Sequence, residues 1–156
     1  MPDIDFEVFG SVWNDVPAGD LEALQSLPNV TIQGAFEGMA SLPVSDAAAF
    51  LYTSKWDGIP IVLIEAIALG LPVVAPTVGS IPELVSEKTG YPVNQEDDPE
   101  AYVARLRELL GAPDAAAAKV RHGQDLVRTR HSLQHFERQL KSLPGYAIAA
   151  GDSGPA

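Results

Sequence analysis

The sequence predicts an α/β domain in three layers, a mostly parallel sheet with helices on both faces. Three observations carry this. Strand-like and helix-like segments alternate from one end of the chain to the other. Residues 47–54, AAAFLYTS, form a nearly unbroken apolar run, as expected of a strand covered on both faces. Glycines close the strand-like segments, while prolines stop or start the helix-like ones.

Each element has its own reason. IDFEVFG, residues 4–10, alternates apolar and acidic side chains and ends in glycine, which reads as an edge strand. DLEALQSLP is helical and stops at Pro28. NVTIQG is a β-branched strand closing on Gly34. A short helix is expected within EGMASLPVSD, followed by the apolar strand 47–54. The loop SKWDGIP then leads into a helix over 60–69. Pro60 is expected at its first position and Gly70 as its left-handed stop, with Pro72 soon after. PVVAP is the next strand, SIPELVSEKTG holds a short helix ending at Gly90, and YPV is a brief strand. DPEAYVARLRELLG is an amphipathic helix with Asp98 as cap and Pro99 in the first turn. PDAAAAKVRHGQDLVRTR is expected to be helical and exposed, and SLQHFERQLKSL to be a last helix capped by Ser132. Residues 1–146 are read as one domain and 147–156 as a flexible tail.

A chain of 156 residues has the size of a single domain, and 46% hydrophobic residues suffice for a core. The absence of cysteine rules out disulfides and thiolate metal sites and fits a reducing cytoplasm. The 21 acidic residues outnumber the 10 basic ones, a balance that repels nucleic acid and anionic lipid. No run of about 20 apolar residues indicates a membrane span. The first ten residues lack the basic start and apolar core of a signal peptide.

Glu65 stands out because the helix around it, PIVLIEAIAL, is apolar on every side and is expected to be buried. An unpaired buried carboxylate would cost several kcal/mol, roughly. Two readings follow: a structural carboxylate held by amides or an arginine, or a ligand contact at the strand ends. Asp57 lies eight residues earlier, in the loop before the helix. Between the two acids come Gly58 and the helix start, whose free N–H groups and dipole make an anion site. Pro60 has no N–H to give, but Gly58, Ile59 and Ile61 do. Carboxylates for hydroxyls beside amides for phosphate suit a nucleotide sugar.

The run Asp57, seven residues, Glu65, Ala66, then Gly70, Leu71, Pro72 and Val73 resembles the donor-site signature of retaining nucleotide-sugar glycosyltransferases, family 4 and its relatives. APTVGSIPELV resembles that family's Gly-Gly-x-x-Glu segment, and TGYPV, NVTIQGAF and AAAFLYTS fit its neighbouring strands. The resemblance covers about residues 3–93. It implies a Rossmann-like domain, the C-terminal half of a GT-B fold. It implies that Asp57 contacts the transferred sugar and Glu65 the ribose. The amides of Gly58, Ile59 and Ile61 would meet the diphosphate, Gly34 would lie near the base, and Gly79 and Ser80 would border the donor. Trp56 is a candidate for the wall of the sugar pocket. The family mostly needs no metal for catalysis, so no cofactor is expected.

Three features depart from the family pattern. Asp57 replaces the commoner glutamate and is one methylene shorter. Ser80 stands where a second glycine is usual, so a β-carbon there could narrow the pocket or forbid a left-handed backbone. The chain is also shorter than the family's two domains: the N-terminal, acceptor-binding domain and the first strand of the C-terminal one have no counterpart. An exposed sheet edge would invite a homodimer. Two rival readings are a non-catalytic binding or assembly module and a nucleotide-sugar epimerase, and the acid–seven–Glu spacing speaks against the second. Lys55, Lys88 and the Arg121, Arg128, Arg130 series read as solvated charges, and Trp13 as packing. His131 and His135 have metal-ligand spacing, but no third ligand is evident beside them.

Overall fold

The structure is a computed structural model, described here for residues 1–11 and 16–144. Trp13 and the expected tail at 147–156 lie outside the described residues. The chain forms two compact units, residues 1–47 and 48–156.

The first unit contains β1 (Phe6–Phe9), α1 (Ala18–Gln25) and β2 (Val30–Gly34). The strands pair in parallel, Phe6 opposite Val30 and Val8 opposite Ile32, with a register shift that sets Phe9 opposite Gly34. The Asn29 side chain donates to the carbonyls of Met1 and Ile4 at 3.1 and 2.7 Å and ties down the entry to β1. Phe9 and Phe36 meet edge to face at 6.1 Å. The short helix expected after β2 is two single 3-10 turns, Met39–Ser41 and Val44–Asp46. Pro43, at the join, cannot donate the N–H that a continuous helix needs.

The second unit holds β3 (Phe50–Leu51), α2 (Ile61–Ala68), β4 (Val73–Pro76), β5 (Tyr91–Val93), α3 (Pro99–Gly111), α4 (Pro113–Arg130) and α5 (Leu133–Ser142). Its sheet runs β3-β4-β5, all parallel, with Phe50 opposite Val73 and Val74 opposite Tyr91. β4 is buried along its whole length, as its Val-Val-Ala-Pro sequence requires of a central strand. Pro92 is tolerated in β5 because that strand is at the edge, and its carbonyl accepts a bond from Arg105 Nε at 2.9 Å.

Several sequence expectations are corrected. β3 is two residues long rather than spanning 47–54, because the chain leaves the sheet at Tyr52 after one last bond to the Val74 carbonyl. Pro60 caps α2 instead of occupying its first turn: its ψ of 123° is extended, while its carbonyl accepts from Leu63 and Ile64. The helix is not buried all round. Leu63, Ala66 and Ile67 face the core, whereas Ile61 is 73% exposed. The segment after β4 forms one 3-10 turn, Ile81–Glu83, rather than a helix reaching Gly90. There Thr89 Oγ1 donates to the Leu84 carbonyl at 2.7 Å and accepts from Ser86 N at 2.9 Å, so a side chain replaces helical bonds. α4 is not wholly exposed either, since Ala116, Gly123 and Val127 are buried. A β-carbon on Gly123 would lie 3.0 Å from Ile67, so glycine lets α4 approach α2 closely.

Other expectations hold. Gly70 ends α2 with φ +85°, and Asp98 caps α3 by accepting the Glu100 N–H at 3.0 Å. Ser132 caps α5 through the His135 N–H at 3.2 Å. An ion network ties α3 and α4 to the turn before β5. Glu87 bonds Arg105 at 2.5 Å and Lys119 at 3.3 Å, and Lys119 also lies over the Tyr91 ring.

Two outcomes follow for stability. Leu63→Ala should cost about 2–5 kcal/mol in urea unfolding, and Ile61→Ala in the same helix less than about 0.5. Partial burial works to raise the Glu87 pKa, but the Lys119 hydrogen bond and the Arg105 charge outweigh it and hold the group below its ordinary 4.5. Its contribution is therefore present above that value and is lost as pH falls through the lowered one. Glu87→Gln should flatten this part of the acid limb in a pH series of melting temperatures.

Candidate active site

In the second unit, Asp57 and Glu65 lie on one continuous stretch that starts at the carboxyl end of β3. Tyr52, the first residue beyond that strand, donates its phenolic hydrogen to Asp57 Oδ2. Partial burial first, and the Asp57 hydrogen bond second, push the Tyr52 hydroxyl above its ordinary pKa. It is therefore a proton donor across the neutral range. The Tyr52 ring stacks on Phe50 at 6.4 Å and 24°. Ser54 Oγ donates to the Trp56 carbonyl at 2.9 Å and closes the loop just before the acid.

The loop after β4 meets the same acid from the other side. Gly79 has φ +53°, and a β-carbon there would lie 1.7 Å from the Asp57 carbonyl oxygen. Only glycine lets the two loops approach so closely. Ser80 has φ −96°, ordinary for any residue. The left-handed position thus falls on Gly79, and the serine brings no backbone conflict.

The acid in the helix has a different setting from the one expected. Ile61, Glu65 and Leu69 are four residues apart and form one stripe of α2. Ile61 and Leu69 are exposed and Glu65 is half-buried, so the carboxylate lies on the helix's open side. The desolvation cost inferred for a fully buried acid is correspondingly reduced. At the helix start, the N–H groups of Ile61 and Val62 have no acceptor within the helix, as for any first turn. Gly58 and Ile59 are exposed beside them.

A third loop joins in. Lys55 pairs with Asp97 at 2.7 Å, which links the loop after β3 to the loop after β5. Asp97 holds the Lys55 ammonium above its ordinary range. Thr77 N donates to the Val93 carbonyl at 2.9 Å and fastens the end of β4 to the end of β5. The carboxyl ends of all three strands therefore carry connected loops, with Asp57 at the best-supported point. Trp56 is 81% exposed. Gly34 ends β2 in the first unit, where its φ is +82° and its carbonyl accepts from Gly10 N at 2.8 Å. Among the described residues, no group of three or more His, Asp or Glu side chains is placed to hold a metal ion.

A sequence profile described as Glycosyl transferases group 1 matches residues 2–112. The chain belongs to the group 1 glycosyl transferases. A Salmonella typhimurium protein named as a colanic acid biosynthesis glycosyltransferase is 36% identical over 108 residues, 64% of this chain and 26% of its own length. The alpha-maltose-1-phosphate synthase of Mycolicibacterium smegmatis is 36% identical over 106 residues, 64% of this chain and 27% of its own. This chain thus spans about a quarter of the curated relatives it matches. Among solved structures, sucrose-phosphate synthase from Thermosynechococcus elongatus superposes with a TM-score of 0.72 at 22% identity. That match covers 85% of this chain and 36% of the other. Anabaena HepE, solved in complex with UDP-glucose, superposes with a TM-score of 0.71 at 19% identity over 92% of this chain and 42% of the other. The α/β architecture with parallel strands is that of these GT-B glycosyltransferases.

Sequence reasoning did not find Tyr52 or the Lys55–Asp97 pair. Tyr52 lies five residues before Asp57, a spacing that no regular helix or strand turns into a contact. Asp97 is 42 residues from Lys55 and is brought near only by the strand order.

The Gly79 contact makes a direct test. Gly79→Ala should lower stability by about 1–3 kcal/mol, because the Asp57 carbonyl must move. Ser80→Gly should change it by less than about 1 kcal/mol. Thermal melts of the two variants decide whether residue 79 or residue 80 carries the backbone requirement.

Proposed function

We propose that this chain is the donor-binding half of a retaining glycosyltransferase. It would hold a UDP- or GDP-linked sugar whose glycosyl group passes to an acceptor bound by an N-terminal domain. The single observation that carries the proposal is the placing of Asp57 and Glu65 on either side of the α2 amino terminus, at the carboxyl end of the sheet. In this reading Asp57 accepts hydrogen bonds from sugar hydroxyls and Glu65 from the ribose. The amides of Gly58, Ile59 and Ile61 face the diphosphate, and Gly79 and Ser80 border the donor. Trp56 is free to cover the sugar when a ligand arrives.

The chemistry follows from that placing. The bond between the anomeric carbon and the diphosphate oxygen breaks while an acceptor hydroxyl oxygen bonds to that carbon; the nucleoside diphosphate leaves with the electron pair and can take up the acceptor's proton. Negative charge grows on the diphosphate, where the first-turn N–H groups and the helix dipole oppose it at no cost of reorganisation. No metal ion is required for this. The isolated chain would bind donor but not turn it over, because the acceptor side belongs to the other domain. A cysteine-free chain handling such a donor fits the cytoplasm. β3 and β5 are the edge strands of their sheet, and we include a homodimer through such an edge in the proposal.

Calorimetric titration of the chain with UDP, GDP and their sugar conjugates tests the reading. Saturable binding of one of them is expected, and Glu65→Ala should weaken it roughly tenfold to a hundredfold. A folded chain that binds none of them overturns the donor-site reading and leaves the assembly module.

A further inference from the structure

The Asp57 carboxylate accepts a hydrogen bond from the Tyr52 hydroxyl, and Tyr52 has no role in the reading above. The geometry points to Tyr52 as a positioning residue that aims the Asp57 carboxylate at the donor sugar. This rests on the donor-site reading and adds to it the element that sets the sugar subsite.

Three contacts fix the acid. Its Oδ2 accepts from the Tyr52 hydroxyl, and its carbonyl is backed by Gly79. Its loop is closed by the Ser54–Trp56 bond. Tyr52 is itself rooted, through its N–H on the Val74 carbonyl of β4 and its ring on Phe50. The sheet is thus connected to the carboxylate by one rigid aromatic side chain.

An ionised carboxylate has room for about four hydrogen bonds on its two oxygens. With Oδ2 engaged by a donor, Oδ1 is the oxygen open to a sugar hydroxyl. The tyrosine oxygen keeps lone pairs of its own and can accept a second, neighbouring hydroxyl. Such a pair recognises adjacent hydroxyls on one sugar face. An aspartate on a mobile loop would lose this selectivity to side-chain freedom, and the short aspartate side chain brings its carboxylate within reach of a residue on its own strand end. The hydroxyl's raised pKa keeps the donor protonated wherever the enzyme would work.

The test uses Tyr52→Phe in the 156-residue chain, with two readouts. Calorimetry should show affinity for the nucleotide sugar falling roughly tenfold while affinity for the matching free nucleoside diphosphate stays unchanged. Equal loss of both ligands, or loss of neither, overturns the positioning role. The second readout needs no donor. In ultraviolet alkaline titration, Asp57→Asn should move one tyrosine's ionisation towards the ordinary value of about 10, and Tyr52→Phe should remove that same transition. Identical titration of the parent and Asp57→Asn chains overturns the contact itself. Coupled titration in a folded chain that binds no nucleotide overturns the donor-site reading and, with it, the sugar-directed role of the clamp, while the contact stands.

Discussion

The approach of residue 79 to the Asp57 carbonyl is the constraint on which the site depends. A β-carbon at 1.7 Å from that oxygen is impossible, so the two loops meet only through a glycine. The same glycine carries φ +53°, a conformation that L side chains rarely adopt. Space and backbone angle make the same demand at one position. Because of this contact, the loop after β3 is a supported wall rather than a free excursion, and the acid on it acquires a defined place.

β4 makes that support possible. It is the central strand and has no exposed residue, so it is the least deformable part of the unit. Tyr52 is bonded to it from one side, and Thr77 fastens its end to β5 on the other. The loops that carry the polar chemistry therefore hang from a dry, rigid layer. Energetically the unit separates the two tasks: Leu63, Ala66, Ile67 and the β4 side chains bury apolar area, while the strand ends keep polar groups near water. An open groove of about 500 Å³ lies at the opposite ends of the strands, lined by Ala48, Gly70, Pro72, Leu109 and Pro113. It contains neither acid. Size alone does not mark the chemistry here, whereas the direction of the strands does.

The α2 helix shows how a correct signature can carry an incorrect physical reason. The spacing from Asp57 to Glu65 carries the family resemblance in the sequence. The apolar letters around Glu65 suggested a fully buried helix, with a costly charge that amides, an arginine or a ligand would have to offset. In the structure Glu65 shares a stripe with exposed Ile61 and Leu69, and the buried residues are on the other side. Composition tells how much apolar area a helix has, but which face is covered depends on what packs against it, here β4 and α4. α4 is the converse case. Its polar letters suggested exposure, yet Ala116, Gly123 and Val127 form a buried stripe against the core.

What the sequence by itself determined is the local and periodic part: the alternation of strands and helices, the caps at Asp98 and Ser132, the left-handed stop at Gly70 and the spacing of the two acids. These depend on neighbours a few residues apart, so a string of letters contains them. The tertiary structure alone decided that Tyr52 holds Asp57, that Gly79 rather than residue 80 takes the left-handed turn, and that Lys55 reaches Asp97 across the strand ends. Those facts arise from strand order and from the way loops leave a sheet. Both are set by the packing of distant segments, which no local pattern encodes.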